Sequence, residues 1–587
     1  MDQTEATTKR SADETTMERE TPEPKVRRCV RKLNCATEKE VGIDAFVSSE
    51  KGIRGVLKDS CEDFIVQEID ENGAVVDLVD TSEPKLLTKT IEKIPEEEGW
   101  KLLREVFSEE VCNKIQEFKE KVQQDENTQE GCTLTAIDDK GKRKQVHDII
   151  KRAFPMFTSD TIDDCVVLYS YKNQNKYHTV HREVWPDASK NYVAFTVKKR
   201  GQETMTVVSN LAHAVHRAPK MFSYYGTKDK RAITFQRVVA YRITPHEIYE
   251  AAKKVRDIEV GDFAFVAEPA TIGGNRGNRF TVTLRGLKTS NPEDSATTLR
   301  ERLMRVVESL QSVGYVNYYG LQRFGNGGLN VEVGACMLRS EWKEAVMGIL
   351  NSNHSNGNVM QKAIKKWEET QSGAEAAKVL PKFMHSEAQL FRALDKSGGK
   401  GFSNALASLP FNRRTLYIHA VQSLLFNRFA SRRVALGLQP IPGDLVCKTE
   451  AATELTDKTP LTVVTEENRA QFDIHQVVLP LPGMSTQIPV YLQSLYESLM
   501  GELGLKLDCW SQAIRDYRMH GSYRHLLSKP ADVEGELVDE DSMRLAFSLE
   551  SGAYATMLIR EVTKYETDIN SQLTLSCAVC STFNSPS

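Results

Sequence analysis

No stretch of this sequence approaches the roughly eighteen uninterrupted apolar residues that a bilayer-crossing helix needs. Its N-terminus is polar and acidic and lacks the apolar segment of a secretory signal. Eleven cysteines, odd in number and scattered, do not make a disulfide framework. They fit a reduced, intracellular protein; separately, the nucleus is the expected compartment and the cytoplasm the alternative. His178 and His181 lack a third clustered ligand, and Cys577 with Cys580 supplies half a zinc site with no second pair nearby, so no metal is expected. A His-x-Glu with Pro-Cys-x-x-Cys is also missing, which argues against a zinc base deaminase. Nor is there an excess of one charge: 77 Lys and Arg stand against 81 Asp and Glu, a net −4. That argues against a generally basic nucleic-acid binder. It leaves room for a local basic groove, because the local field steers a ligand.

What is present is ordinary for a soluble globular chain: 40% hydrophobic and 27% charged residues over a length of 587, enough for two to four domains. Residues 1–40 read as a disordered tail, rich in Thr and Glu at first. A basic cluster follows at Lys25–Lys32, either an import signal, an RNA-contacting arm or a solvated tail. Gly52–Leu78 reads as two strands around the Asn72-Gly73 turn. Segment 81–159 has another character and reads as a helical insertion. Its stripe Val111, Ile115, Phe118 and Val122 follows Ser108 as N-cap. Within 141–157, Arg143 and His147 are four apart and share a helix face. That spacing is similar to a small single-stranded nucleic-acid-binding module named for its arginine–histidine pattern, and a polar helix face explains it equally. Cys165–Tyr171 and Asn191–Val197 read as strands, and Met205–Val215 as a helix.

The centre of the chain is Met221–Arg242, read as strand, polar loop, strand. Gly226 lets the backbone turn sharply. The loop holds one carboxylate, Asp229, among Lys228, Lys230 and Arg231, which keep it ionised. Such a group is either a salt-bridged turn or a nucleophile beside an anionic substrate. Further on, Asn278, Phe280, Val282 and Leu284 share one strand face. Asn278 and Phe280 are then either core or the hydrogen-bonding and base-stacking ends of a pocket. Val316–Gly325 (VNYYGLQRFG) carries Tyr319, Gln322 and Arg323, as an RNA-contacting surface or as a tight loop packed by its own aromatics. Asn351–Gly401 has Ser-, Asn- and Gly-rich patches around a helix near Gln361–Lys378. Leu416–Leu436 is a long helix whose Arg428, Arg432 and Arg433 either face RNA phosphates or form a solvated face. Met543–Leu549 is a strand, and Ala553–Lys564 a helix carrying Arg560 and Glu561.

Four segments, LKDSCEDFIVQE, YYGTKDKRAITFQ, GNRFTVTLR and NYYGLQRFG, resemble in order the marker segments of the TruD family of tRNA pseudouridine synthases, and in particular its eukaryotic branch, the pseudouridylate synthase 7 homologues. Leu416–Arg433, Pro442–Val446, Leu479–Gly483 and Ser551–Val562 agree. The resemblance implies an α+β pseudouridine synthase fold, a mixed and largely antiparallel sheet with flanking helices, with an inserted α/β TRUD domain. It implies catalytic segments 41–80, 160–325 and 530–570, a TRUD domain at 326–529, and a flexible tail at 571–587.

It also implies a reaction. Asp229 would be the nucleophile of the G-x-K-D motif and Lys58 its charge partner. Phe280 would stack the base beside Asn278, with Lys228, Tyr319, Gln322 and Arg323 on the substrate. Arg143, His147, Arg428 and Arg432 are candidate RNA contacts. The implied substrate is uridine in tRNA, position 13 included, and in other RNAs, mRNA among them, with a UNUAR-like context. No cofactor or membrane is implied, and the protein would be a monomer. Cys61 stands where the family often has Pro, which touches only local loop geometry. A non-catalytic RNA binder is the rival, and a carboxylate in a positive loop argues against it because it repels phosphate.

Overall fold

The computed structural model describes residues 37–85, 93–125, 128, 130–171, 185–187, 189–288, 296–351, 357–381, 383–396, 401–448, 455–512, 514–568 and 571–572. The basic cluster 25–32, His178, His181, Cys577 and Cys580 lie outside these. The chain divides into two compact units, one of Ile65–Asn278 and one of Met1–Phe64 with Arg279–Ser587.

The first unit is organised by strand Tyr192–Arg200. It runs antiparallel to Ile233–Tyr241 over nine residue pairs on one side and to Ile258–Val266 on the other. Phe222–Tyr224 adds a short antiparallel strand beside Val238–Ala240, and Ile65–Gln67 runs parallel to Ile233–Phe235. Val193, Phe195 and Val197 alternate along the central strand and bury against Val207, Val208 and Leu211 of helix Thr204–Ala214 and Ile248 of helix Pro245–Ala252. Period-two and helical patterning thus meet on one face, which is what makes the sheet and its helices fold together. The second helix starts cleanly because Thr244 and Glu247 form a capping box across Pro245.

Two expectations are corrected here. The turn at Asn72-Gly73 forms, with Gly73 at φ +90° and Asp70 Oδ1 accepting from the backbone of Asn72 and Ala74 at 2.9 Å. After it, however, the chain forms no second strand: it runs back beside Glu68–Asp70 through a bridge of Ile69 to Val75, with Asp70 N donating to Ala74 O at 2.9 Å and Val76 N to Glu68 O at 2.7 Å. Both strands of Gly52–Leu78, Arg54–Leu57 and Phe64–Ile69, precede the turn. Segment 81–159 is not simply helical. Helices Glu96–Val106, Glu109–Gln124 and Lys140–Ala153 pack on a three-stranded antiparallel sheet of Cys132–Ala136, Cys165–Ser170 and Phe157–Ile162, in that order. Leu103, Ile115, Phe118, Leu134, Val146, Ile150 and Val166 share one core. Cys165–Ser170 is its middle strand, although it lies beyond the expected boundary. A buried middle strand is a continuous apolar run in any sheet, so its pattern does not say which sheet it joins.

In the second unit, strand Gly277–Lys288 (from Arg279 onward) is followed in the sheet by Ser542–Glu550 and then Ala531–Leu537. Arg54–Leu57 is antiparallel to its far end. Helix Ala555–Thr563 carries Arg560, whose guanidinium pairs with buried Glu38 and donates to Ala45 O at 2.8 Å. Its neighbour Glu561 accepts from Ser48 N at 2.9 Å, so the segment from Glu38 to Ser48 is tied to this helix. Residues 326–529 contribute helices such as Leu329–Leu338 and Phe411–Val434, then a four-stranded sheet of Thr462–Val463, Leu445–Val446, Val477–Leu481 and Ser522–His525. The single helix expected near Gln361–Lys378 is two, Gly357–Thr370 and Gly373–Val379. Gln371 turns left-handed at φ +52°, and Ser372 caps the second helix through Glu375 N. The long helix ends before Gly437, which takes φ +106°. Among the described residues, no helix is long and apolar enough to cross a membrane.

Candidate active site

Asp229 lies half-buried in the loop between strands Phe222–Tyr224 and Ile233–Tyr241. The loop is held by side chains from its surroundings. Lys228 N donates to Thr204 Oγ1 at 3.0 Å, Thr204 Oγ1 donates to Gln236 Oε1 at 2.9 Å, and Gln236 Nε2 donates to Gly226 O at 3.2 Å. From the other side, buried Lys199 donates to Asp229 O at 2.9 Å and Lys228 O at 3.4 Å. Gly226 is not needed for the turn: its φ is not positive, and a Cβ there would meet nothing within 4 Å.

Lys228 does not face solvent as a ligand for RNA. Its side chain is 5% exposed, and its ammonium sits 2.8 Å from Glu68 Oε2 and donates to Asn278 Oδ1 at 2.7 Å. Glu68, wholly buried, also accepts from Arg237 N at 3.1 Å. The structure thus brings Lys228 and Asn278 together around a carboxylate that sequence reasoning missed. Lys199 and Glu68 both left a signal in the sequence. Each is a charge at a core-facing position of a strand, Lys199 in phase with Val193, Phe195 and Val197, and Glu68 in phase with Phe64 and Val66.

The other unit holds Lys58 and Phe280. Lys58 has a left-handed backbone at φ 56° and places its ammonium 3.7 Å from the centroid of the Phe64 ring. A residue with a Cβ rarely adopts that φ, and such outliers gather at functional sites. Phe280 is 7% exposed, stacked on Phe547 with centroids 5.5 Å apart and edge-on to Phe64 at 5.9 Å. Asp63, also buried, accepts from Ser60 N at 2.7 Å and Arg285 Nε at 2.8 Å, which shapes the Lys58 loop. Tyr319 is packed rather than presented: Arg524 lies 4.4 Å and Arg323 5.2 Å over its ring, and Asn427 bonds both its backbone N and O. Gln322 is exposed beside it.

The arginines of the long helix separate. Arg428 is half-buried, 3.4 Å from Asp44 and donating to Glu40 O at 3.1 Å. Arg433 is fully buried against Asp444 at 2.7 Å. Arg432 is exposed. The residues expected to read nucleic acid in 141–157 also turn inward. Arg143 lies 2.9 Å from Asp164 and donates to the carbonyls of Ile137 and Asp138. His147 bonds Ser159 Oγ at 2.8 Å and Thr161 Oγ1 at 2.9 Å. The shared helix face is therefore a packing face, His147 against strand Phe157–Ile162 and Arg143 against Ile137, Asp138 and Asp164, while Lys140, Lys142, Lys144 and Lys151 of the same helix are exposed.

Two outcomes follow for this module. Arg143→Ala is expected to destabilise it by about 1–3 kcal/mol, because two carbonyls lose a charged donor. RNA affinity at fixed salt should stay within about twofold, since the guanidinium is turned inward. A large affinity loss with an unchanged melting curve would reverse that assignment. Burial holds the His147 imidazole below its ordinary value of 6.5. A group depressed in the folded state binds fewer protons there than in the unfolded chain. Its stabilising contribution is therefore complete above about pH 6.5 and is lost as pH falls through the folded value. The melting temperature should fall from about pH 7 to 5.5, and His147→Gln should flatten that slope.

Two family models match this chain. The model for tRNA pseudouridine synthase D (TruD) covers residues 171–562, and that for the PUS7L N-terminal domain covers residues 101–176. The protein is thus an RNA-modifying isomerase of α+β fold, one that converts uridine in RNA to pseudouridine. It belongs to the TruD family of pseudouridine synthases. The mouse (Mus musculus) pseudouridylate synthase 7 homolog is 31% identical over 92% of this chain and 83% of its own length. The multisubstrate pseudouridine synthase 7 of Schizosaccharomyces pombe is 26% identical over 92% of each chain. A solved structure assigned as tRNA pseudouridine synthase D from Methanosarcina mazei shares the fold, with a TM-score of 0.52 at 20% identity over 90% of this chain and 97% of that one.

Proposed function

We propose that this enzyme isomerises uridine at position 13 of tRNA, and uridines of other RNAs in a UNUAR-like context, with Asp229 as nucleophile. The observation that carries the reading is the placement of Asp229 on a loop held from both sides, inside the TruD match. A nucleophile that must meet one carbon of a bound substrate gains from such fixation. The target uridine leaves its stack and enters the site. Asp229 attacks at the ribose C1′, or through the base by the alternative route, and the bond from C1′ to N1 breaks. The uracil turns, C5 bonds to C1′ as the bond to the Asp229 oxygen breaks, and C5 gives up its proton while N1 gains one, so the carboxylate is regenerated. Phe280 has no hydroxyl and does not take that proton; it stacks the base. Lys58 keeps the role of charge partner that the family resemblance assigns it.

Asn278 is oriented by Lys228, so Lys228 positions the pocket instead of touching phosphate. The exposed cations Arg432 and, in helix Lys140–Ala153, Lys142 and Lys144 replace the half-buried Arg143 and Arg428 as the groups that meet RNA. The name of the fission-yeast relative, multisubstrate, supports more than one RNA class. The test is pseudouridine formation without added metal or cofactor on three RNAs: a tRNA transcript, the same transcript with cytidine at position 13, and an oligonucleotide carrying UNUAR. Conversion of the first and third, with none in the second, is expected. Conversion elsewhere in the second transcript would reject the position-13 assignment.

A further inference from the structure

We propose that Lys199 is a positioning residue for the isomerisation, its buried ammonium clamping the carbonyls on both sides of the nucleophile and so fixing where the Asp229 carboxylate stands. The proposal rests on Asp229 being that nucleophile.

Lys199 is 1% exposed and sits on the apolar face of strand Tyr192–Arg200. Removing an ammonium from water costs several kcal/mol unless every donor is met. Here the three donors are met by three carbonyls: Gln202 O at 2.8 Å, Asp229 O at 2.9 Å and Lys228 O at 3.4 Å. Two of these belong to the nucleophile and the residue before it, so the peptide joining them is held from within the core. A packing role alone would be met more cheaply by a methionine or leucine in phase with Val197, and either would leave those carbonyls without this donor.

The surroundings make the clamp dependent on pH. Asp229 and Glu203 favour the charged form, Lys228 and burial oppose it, and burial is the largest influence, pushing the ammonium down to about 8. Thr234 and Ile258, opposite Lys199 on the flanking strands, bring no charge. A neutral amine keeps only two N–H donors and turns a lone pair toward a carbonyl oxygen. Above about pH 8 the clamp therefore loosens.

The test is single-turnover pseudouridine formation on a tRNA transcript from about pH 6.5 to 9.5, for wild type, Lys199→Met and Lys199→Arg. RNA affinity and melting temperature are measured beside it. Wild type should lose rate as pH rises through about 8. Lys199→Arg, whose guanidinium does not deprotonate, should lack that limb. Lys199→Met should be slower by about 10- to 100-fold at neutral pH with affinity within about twofold, because misplacement costs rate and not binding. A wild-type profile flat across the range, a limb retained in Lys199→Arg, or a full rate in Lys199→Met would overturn the assignment. Should Lys199→Met fail to fold, the wild-type and Lys199→Arg profiles decide. Asp229→Ala separates the two readings. Full activity there rejects the nucleophile itself, whereas an inactive Asp229→Ala beside a flat wild-type profile rejects only the clamp.

Discussion

Asp229→Ala is expected to bind an unmodified tRNA transcript as wild type does and to convert no uridine, a fall of about 10⁴-fold or more in rate. The magnitude follows from the chemistry. Without the carboxylate the group that attacks to release the base is gone, and the two neighbouring lysines are engaged elsewhere. Lys228 is occupied by Glu68 and Asn278, and Lys199 by three carbonyls. Asp229→Asn is the stricter comparison, because it keeps size and polarity and removes only the charge. Binding is expected to survive in both, since Thr204, Gln236 and Lys199 hold the loop backbone. Pseudouridine counted on bound RNA, with affinity at the same salt, reads both quantities. Measurable turnover by Asp229→Asn would remove the nucleophile from this position.

The second large effect is on stability. Lys228→Met is expected to lower it by about 3–5 kcal/mol, because it leaves the Glu68 carboxylate buried and uncompensated. Glu68 is wholly buried and cannot recover water by a small shift. The double variant Lys228→Met with Glu68→Leu should regain most of that loss, since an apolar pair of similar size carries no desolvation cost. Activity should not return with it. Asn278 would have lost the ammonium that fixes its amide, and a pocket group free to rotate no longer presents one hydrogen-bonding edge. Denaturant unfolding and single-turnover rate, measured on wild type and these two variants, separate the two roles. If Lys228→Met instead weakens RNA affinity strongly and leaves unfolding unchanged, Lys228 is a phosphate ligand and the buried pair is misread.

Much of this was legible from local pattern. The alternation of Val193, Phe195 and Val197, the helix at Thr204–Ala214 and the strand–loop–strand around Asp229 are short-range features, and a period of two or 3.6 records them directly. The Asn72-Gly73 turn was read correctly for the same reason. Its expected partner strand was not, because pairing depends on what lies across the sheet. The inward turn of Arg143 and His147 was likewise invisible. A helix face four residues wide looks the same whether strand Phe157–Ile162 covers it or water does.

What the sequence by itself determined is therefore the family: a fixed order of segments that the TruD family shares, one of which carries a carboxylate in a glycine–lysine loop. Tertiary structure alone decided which buried charge holds the backbone of that loop. Lys230 and Arg231 are neighbours of Asp229 in the chain, yet their side chains are exposed. Lys199, thirty residues upstream by its bond to Asp229 O, reaches the loop from the core of the sheet. The reason is physical. Burial multiplies the strength of a charge and of a hydrogen bond, and burial is set by elements distant in sequence.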